Sequence, residues 1–404
     1  MKVAIVYPGG VIPPDRGSLE ILIWNVAKRL KEYVHIAIFC SGKKRQKLRE
    51  MVDGIEIFRT PKILRIVDKF IEFVFKFIFH NDQYVYSQYC YIATILYMAI
   101  CLRRRQFDVI HIFTFSQHLP WLKSFNPKSK IIINFNHIRF VDIDTKILNR
   151  RLQYADLIVG VCEFVTNRIR YKYSEYRDRC FTSLNGVDIQ KFYPYNGYEK
   201  HHKGSKIVLY VGRIVPEKGV HLLIEAIKMV VSKYKYVKLV IMGEFKPFPA
   251  YPRCAHFPFM KEIGSLNHGY EQFIKSKVKE VQKYVELKEA MLYENMPDIY
   301  NMADIFVHPA YIDIMPKTVL EAMACGLPVI ASKTGGLPEM VLDGTTGILV
   351  PPGDAKLLAD AIIKLLANDD LRITMGKRAR KRVESNFTWE HVADRFLNLY
   401  SETL

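Results

Sequence analysis

The sequence predicts an α/β protein built on parallel, doubly wound sheets, and three features predict it. Short apolar runs alternate with amphipathic helical stretches along most of the chain. The same plan starts again after a polar, glycine-containing segment near residue 200. The chain has 404 residues, 50% of them apolar, and one core rarely grows that far, so two domains of ~200 residues are expected. Alternating strand and helix puts crossover helices on both faces of a parallel sheet.

In order, KVAIVY reads as a strand, LEILIWNVAKRL as an amphipathic helix and VHIAIFC as a strand. DVIHIF, KIIINF, LIVGV and CFTSL follow as short apolar runs with helical stretches between most of them. The second half repeats the plan with KIVLYV, VKLVIMG, ADIFVHP, PVIAS and GILVP. The expected division is a first Rossmann-like domain over 1–195, a linker over 196–206, a second over 207–387, and a helix over 388–404 packing back toward the first. Two segments break the plan. Residues 62–80 are apolar nearly all round, punctuated by Lys62, Arg65, Lys69 and Lys76. Residues 244–268 carry prolines and glycines that forbid a regular helix, which reads as a loop near a ligand crevice.

Charge and cysteine usage narrow the class. The net charge is +18, with +13 of it within residues 1–190. A basic half attracts nucleic acid, anionic lipid or a phosphorylated substrate, but no nucleic-acid recognition module is present. The seven cysteines are dispersed, with no C-x-x-C pair, which suits reduced thiols in a cytoplasmic protein. No signal-type segment is read at Met1, and no run reaches the roughly 18–20 apolar residues of a membrane span. Segment 62–80 could lie on a membrane surface or be buried in the first domain; 91–105 reads as a buried helix.

The second half carries the chemistry. GRIVPEKG follows a strand and precedes a helix, so Arg213 and Lys218 sit where strand ends of an open α/β sheet meet a crevice. There a guanidinium fork and an ammonium can converge on one anion such as a pyrophosphate. DIMPKTVLE places Asp313 before a helix and Glu321 within it. Those carboxylates can hold hydroxyls, while free amides at Thr318 and Val319 can hold phosphate. TGGLPE adds a tight glycine turn where backbone can approach a ligand. Each of these also has a plain structural reading: a solvated loop, an N-cap Asp, a helical Glu.

Together, GRIVPEKG, the Asp313–Glu321 pair, EAMACGLPVIAS, TGGLPEMV and DGTTGILVPPGD resemble, in this order, the donor-binding domain of family 4 retaining glycosyltransferases. RGSLEILIWNVAKRL, FDVIHIF, INFNH, YADLIVGV and LNGVDIQKF extend the resemblance over essentially the whole chain. The pattern is also similar to the glycosyltransferase-like proteins of bacterial spore coats. The resemblance implies a GT-B fold, two Rossmann-like domains facing a central cleft. It implies that Arg213 and Lys218 grip the diphosphate of a nucleotide-sugar donor, that Glu321 binds the ribose and that Asp313 contacts the transferred sugar. Gly17 and Ser18 would stand at the N-terminal glycine-loop position, near the donor phosphate and the acceptor, and His137 would touch the reacting sugar.

Two positions depart from the family pattern. Asp313 stands where Glu is usual, and Pro316 where Gly is frequent, removing one possible N–H donor while suiting the first turn of a helix. The implied activity is retaining sugar transfer to an unknown acceptor, lipid-linked or anionic, in cell-envelope, polysaccharide or coat glycan synthesis, without a metal or other cofactor. The expected location is cytoplasmic, with peripheral membrane contact through 62–80. The D-x-D string Asp142–Asp144 is the one metal-type motif, and no G-x-G-x-x-G supports nicotinamide chemistry. The competing class is a catalytically silent scaffold or coat-assembly protein of the same fold.

Overall fold

The computed structural model describes residues 1–13, 17–42, 46–79, 90–195, 204–245 and 269–404. The expected linker therefore lies largely, over 196–203, outside the described residues, as does the loop reading over 246–268. Contacts divide the chain into two units, Met1–Gly186 with Trp389–Leu404, and Val187–Thr388.

The first unit holds strands β1 (Lys2–Val11), β2 (His35–Ser41), β3 (Arg49–Val52), β4 (Ile55–Arg59), β5 (Val109–Phe113), β6 (Lys130–Phe135), β7 (Leu157–Gly160) and β8 (Cys180–Thr182). They form one sheet in the order β3-β4-β2-β1-β5-β6-β7-β8. Every pairing is parallel except β3 with β4. That antiparallel edge was not legible, because REMV and IEIFR are half polar. All five residues of β5 are buried, which is why its sequence is apolar on both faces except for His111 rather than alternating.

Helices α1 (Ser18–Leu30), α2 (Lys62–Phe79), α3 (Ile92–Arg105), α4 (Leu119–Phe125), α5 (Thr145–Leu152) and α6 (Glu163–Lys172) connect these strands. As expected for 91–105, α3 buries Ile95, Met98, Ala99 and Leu102. Asp144 caps α5, its carboxylate accepting from the Ile147 N–H at 3.1 Å. The last helix of the chain, Trp389–Thr403, belongs to this unit. Its Glu390 pairs with Arg29 of α1 at 2.8 Å, and its Tyr400 hydroxyl lies 2.7 Å from Nδ1 of His111 on β5. Burial pushes the His111 pKa down to about 3, so this contact joins a neutral imidazole to a phenol.

The second unit holds β9 (Lys206–Val211), β10 (Val237–Met242), β11 (Val285–Lys288), β12 (Ile305–His308), β13 (Val329–Ser332) and β14 (Gly347–Val350). All run parallel, in the order β11-β10-β9-β12-β13-β14. Its helices are α7 (Val220–Lys233), α8 (Tyr270–Glu280), α9 (Met296–Asn301), α10 (Lys317–Ala324), α11 (Leu337–Met340), α12 (Ala355–Leu366) and α13 (Asp369–Asn386); Trp389–Thr403 becomes α14. Leu223, Ile224 and Ile227 of α7 and Leu358, Ile362 and Leu365 of α12 share one buried cluster with the apolar side chains of β9 and β10. Asp354 and Asn368 cap α12 and α13 by accepting from Leu357 and Leu371 N–H groups at 2.8 and 2.9 Å.

The contacts place the first boundary at Gly186/Val187, ahead of the expected end at 195. The physical reason is Arg380 of α13. Its guanidinium donates to the carbonyls of Phe192 at 2.5 Å, Ala324 at 2.8 Å and Ile189 at 3.2 Å. Asn301 adds bonds to the Tyr193 carbonyl and the Tyr195 N–H at 2.9 and 3.0 Å. Residues 187–195 are thus tied to the second unit by side chains about 110–190 positions further along. Arg380→Met is expected to cost about 2–3 kcal/mol, since hydrogen bonds from a charged donor are lost and carbonyls are orphaned. Urea unfolding checks this, through a lower midpoint at unchanged slope; a shift below ~0.5 kcal/mol would show that other contacts hold the segment.

Candidate active site

Strand order determines where the site can be. In the second unit the chain runs from β9 outward through β10 to β11, then returns to pair β12 on the other side of β9. The β9/β12 boundary is therefore a topological switch point, where the loops leaving the two strands part and open a crevice at their carboxyl ends. The loop after β9 is 212–219, and the loop after β12 is 309–316.

Backbone contacts stitch these loops together. The Tyr311 N–H donates to the Glu217 carbonyl at 2.9 Å. Gly219 has φ +68°, and a Cβ there would stand 2.1 Å from the Pro309 carbonyl oxygen, so only glycine fits. With the loops held this close, the Lys218 ammonium reaches Oδ2 of Asp313 at 2.5 Å. Nε2 of His308, the last residue of β12, lies 2.8 Å from the same oxygen. The Ile314 N–H donates to Oδ1 at 2.9 Å. Burial alone would raise the Asp313 carboxyl, but the Lys218 charge and the His308 bond outweigh it and hold it well below the usual carboxylate range. Asp313 is also closely floored. Gly335, at φ +57°, would place a Cβ 1.8 Å from the Asp313 carbonyl oxygen, and Gly336 N–H donates to that carbonyl at 3.2 Å.

Arg213 stands apart from this pair. Its backbone carbonyl accepts from the Tyr210 hydroxyl at 2.8 Å, while its half-exposed guanidinium pairs with Glu217 at 3.0 Å. Each cation faces its own carboxylate, so the expected convergence on one anion is not present in this structure. Glu321 lies buried in α10, accepting from the Tyr300 hydroxyl at 2.7 Å. Burial pushes its carboxyl up, against the Tyr300 bond and the Lys317 and Lys191 charges that favour ionisation.

At the start of α10 the structure corrects two expectations. Pro316 is not in the first turn but caps it, with φ −68° and ψ 120°. Its carbonyl accepts from the Val319 N–H at 3.2 Å, so that amide, expected to be free for phosphate, is used locally by a tightened first turn. Thr318 lies in the same turn.

Gly17, Ser18 and His137 lie in the first unit, at the carboxyl edge of its own parallel sheet. Gly17, at φ +102°, precedes α1, which Ser18 opens. His137 follows β6 with its side chain exposed, and its Nδ1 accepts from the Arg139 N–H at 3.2 Å. Asp142 and Asp144 are engaged structurally, Asp142 by Arg168 and Lys172 and Asp144 as the cap of α5. Among the described residues, no group of three His, Cys, Asp or Glu side chains is placed to hold a metal ion.

Two contributors escaped the sequence reading. His308 looked like the end of an apolar strand, and Tyr300 like an ordinary helical aromatic. The signal for His308 is its position at a strand's carboxyl end, five residues before a carboxylate. The buried pair makes a testable demand. Asp313 ionises below its unfolded pKa of about 3.9, so its stabilisation is whole above that value and is lost as pH falls through the lower folded value. Asp313→Asn is expected to cost about 2–4 kcal/mol at neutral pH and to flatten the acid limb of the stability–pH curve. Acid limbs of equal slope in both proteins would overturn this assignment.

Residues 197–382 match the family described as Glycosyl transferases group 1. The chain is 27% identical to spore coat protein SA of Bacillus subtilis, over 100% of both chains. It is 31% identical to the capsular polysaccharide biosynthesis glycosyltransferase CapM of Staphylococcus aureus, over 55% of this chain and 54% of that one. In fold it is similar to Alr3699/HepE of Anabaena, solved in complex with UDP-glucose, at TM-score 0.70 and 16% identity over 100% of both chains. The chain thus matches the Glycosyl transferases group 1 family over most of its second unit, and over its whole length its fold is that of GT-B glycosyltransferases.

Proposed function

We propose that the second unit binds a nucleotide-diphosphate sugar and that the protein transfers its sugar, with retention of configuration, to an acceptor of envelope, capsule or coat glycan synthesis. The observation that carries this reading is the Lys218–Asp313 contact at the switch point, with α10 starting in the same loop. An ammonium and a helix N-terminus at one crevice form an anion site. Lys218 has three donors and Asp313 occupies one direction, so a diphosphate can take the others. Arg213, half exposed, needs only a side-chain rotation away from Glu217 to join it.

Departure of a nucleoside diphosphate builds negative charge on its terminal phosphate. Lys218 and Arg213 stabilise that charge more in the transition state than in the ground state, which lowers the barrier. With two cations supplying this, the reading needs no metal. Glu321 takes the ribose through the oxygen that Tyr300 leaves open, and Thr318 meets phosphate from the first turn of α10. Gly17 and Ser18 are assigned to the donor phosphate and the acceptor, and His137 to the reacting sugar. The UDP-glucose bound by the Anabaena protein supports the donor class, and the capsular and spore-coat relatives support the glycan context. The basic first half suits a lipid-linked or anionic acceptor, handled at the cytoplasmic face of a membrane.

One observation favours the silent-scaffold alternative. Both Asp313 oxygens are already engaged, Oδ2 by Lys218 and His308 and Oδ1 by Ile314, so a sugar hydroxyl must share them. Release of UDP or GDP from a panel of nucleotide sugars separates the readings. Wild type is expected to turn over one donor. Lys218→Ala is expected to lower the rate by about 10²–10³-fold, and a chelator to leave it unchanged. Neither turnover nor binding of any donor would favour the scaffold, and loss of activity in chelator would overturn the metal-free mechanism.

A further inference from the structure

Helix α2 presents its apolar side outward. Ile63, Ile66, Val67, Phe70, Phe73 and Ile78 recur at helical spacing and are all exposed, Phe70 by 66% and Phe73 by 68%. Together they form one stripe ~22 Å long at 1.5 Å per residue. The opposite side is fixed to the protein. Asp68, 1% exposed, accepts from the Ala93 N–H at 2.7 Å and from the Thr94 N–H and hydroxyl at 3.3 and 2.5 Å. That anchor ties α2 to the first turn of α3 and fixes its rotation, so the exposed stripe is a defined face. Projected at 100° per residue, Lys62, Arg65 and Lys69 line one edge of the stripe.

A water-exposed row of phenylalanine and isoleucine is unusual in a lone soluble surface. Its occupant can be argued from charge. The stripe itself has no polar atom to orient a protein partner, while its edge is cationic and residues 1–190 carry +13. A second copy of the chain would bring two basic flanks together. An anionic bilayer matches both features, since acyl chains receive the stripe and headgroups receive the cations. No helix among the described residues is long and apolar enough to cross a membrane, so α2 would lie in the interface rather than span it.

We propose that α2 docks the protein onto anionic lipid surfaces, with its apolar stripe in the acyl boundary and Lys62, Arg65 and Lys69 at the phosphates. This stands independently of the donor chemistry, and its test needs no donor. The protein is sedimented with vesicles of phosphatidylcholine alone or mixed with phosphatidylglycerol. Wild type is expected to bind the mixed vesicles, and to be released at high salt. Phe70→Ser with Phe73→Ser is expected to weaken binding at least ten-fold. Neutralising Lys62, Arg65 and Lys69 to Gln is expected to weaken it about five-fold per charge, with circular dichroism verifying that each variant is folded. Absence of wild-type binding, or binding by both variants as tight as that of wild type, overturns the proposal. Concentration-dependent self-association abolished by the Phe substitutions, without vesicle binding, would overturn it in favour of a second copy.

Discussion

The second unit is organised around a gap that its own strand order creates. No connection crosses between β9 and β12 at their carboxyl ends, so something other than the sheet must hold the two loops in place. The Lys218–Asp313 ion pair does so, aided by the Tyr311 to Glu217 backbone bond. Glycine makes the approach possible on both sides, because Gly219 lies against the Pro309 carbonyl and Gly335 against that of Asp313. The residues that close the gap are also those with the chemistry to hold an anion. On the proposed reading, stability and function draw on the same charges, and an arriving diphosphate would compete with a carboxylate for Lys218.

Much of this was legible, and the misses have physical causes. Runs such as VIHIF and IFVH are buried on both faces, so their composition announces them. VELK of β11 is an edge strand with half-buried polar positions, and nothing in four such residues separates it from a loop. The unit boundary escaped because residues 187–195 have turn-like composition. Their allegiance is decided by Arg380 and Asn301, far along the chain. Arg213, Lys218, Asp313 and Glu321 were visible as residue types at family spacing. Their partners Glu217, His308 and Tyr300 were not singled out, since pairing depends on how loops fold rather than on spacing.

Helix α2 shows the same limit differently. Its sequence is apolar nearly all round, so periodicity alone left open which face meets the protein. One buried carboxylate settles it. Asp68 cannot lie against lipid or bare apolar surface without hydrogen bonds, and the N-terminus of α3 supplies them. A single polar residue thus orients eighteen mostly apolar ones, and the stripe faces outward as a consequence.

Asp313 carries the last step of this reasoning. The family pattern has glutamate there, one methylene longer. A longer side chain starting from the same backbone would extend past the position at which Lys218, His308 and the Ile314 N–H meet around the carboxylate. The shorter aspartate keeps both oxygens at that meeting point, and the close floor at Gly335 prevents the backbone from moving to restore reach. Aspartate at this position therefore acts first as a positioning residue for Lys218. It aims the ammonium across the switch point, and on the proposed reading recognition of the sugar would shift toward whatever shares those bonds. On this argument the substitution retunes the site rather than dismantling it. In the proposed transfer, the charge that an anionic leaving group would need is held in place by the residue that departs from the pattern.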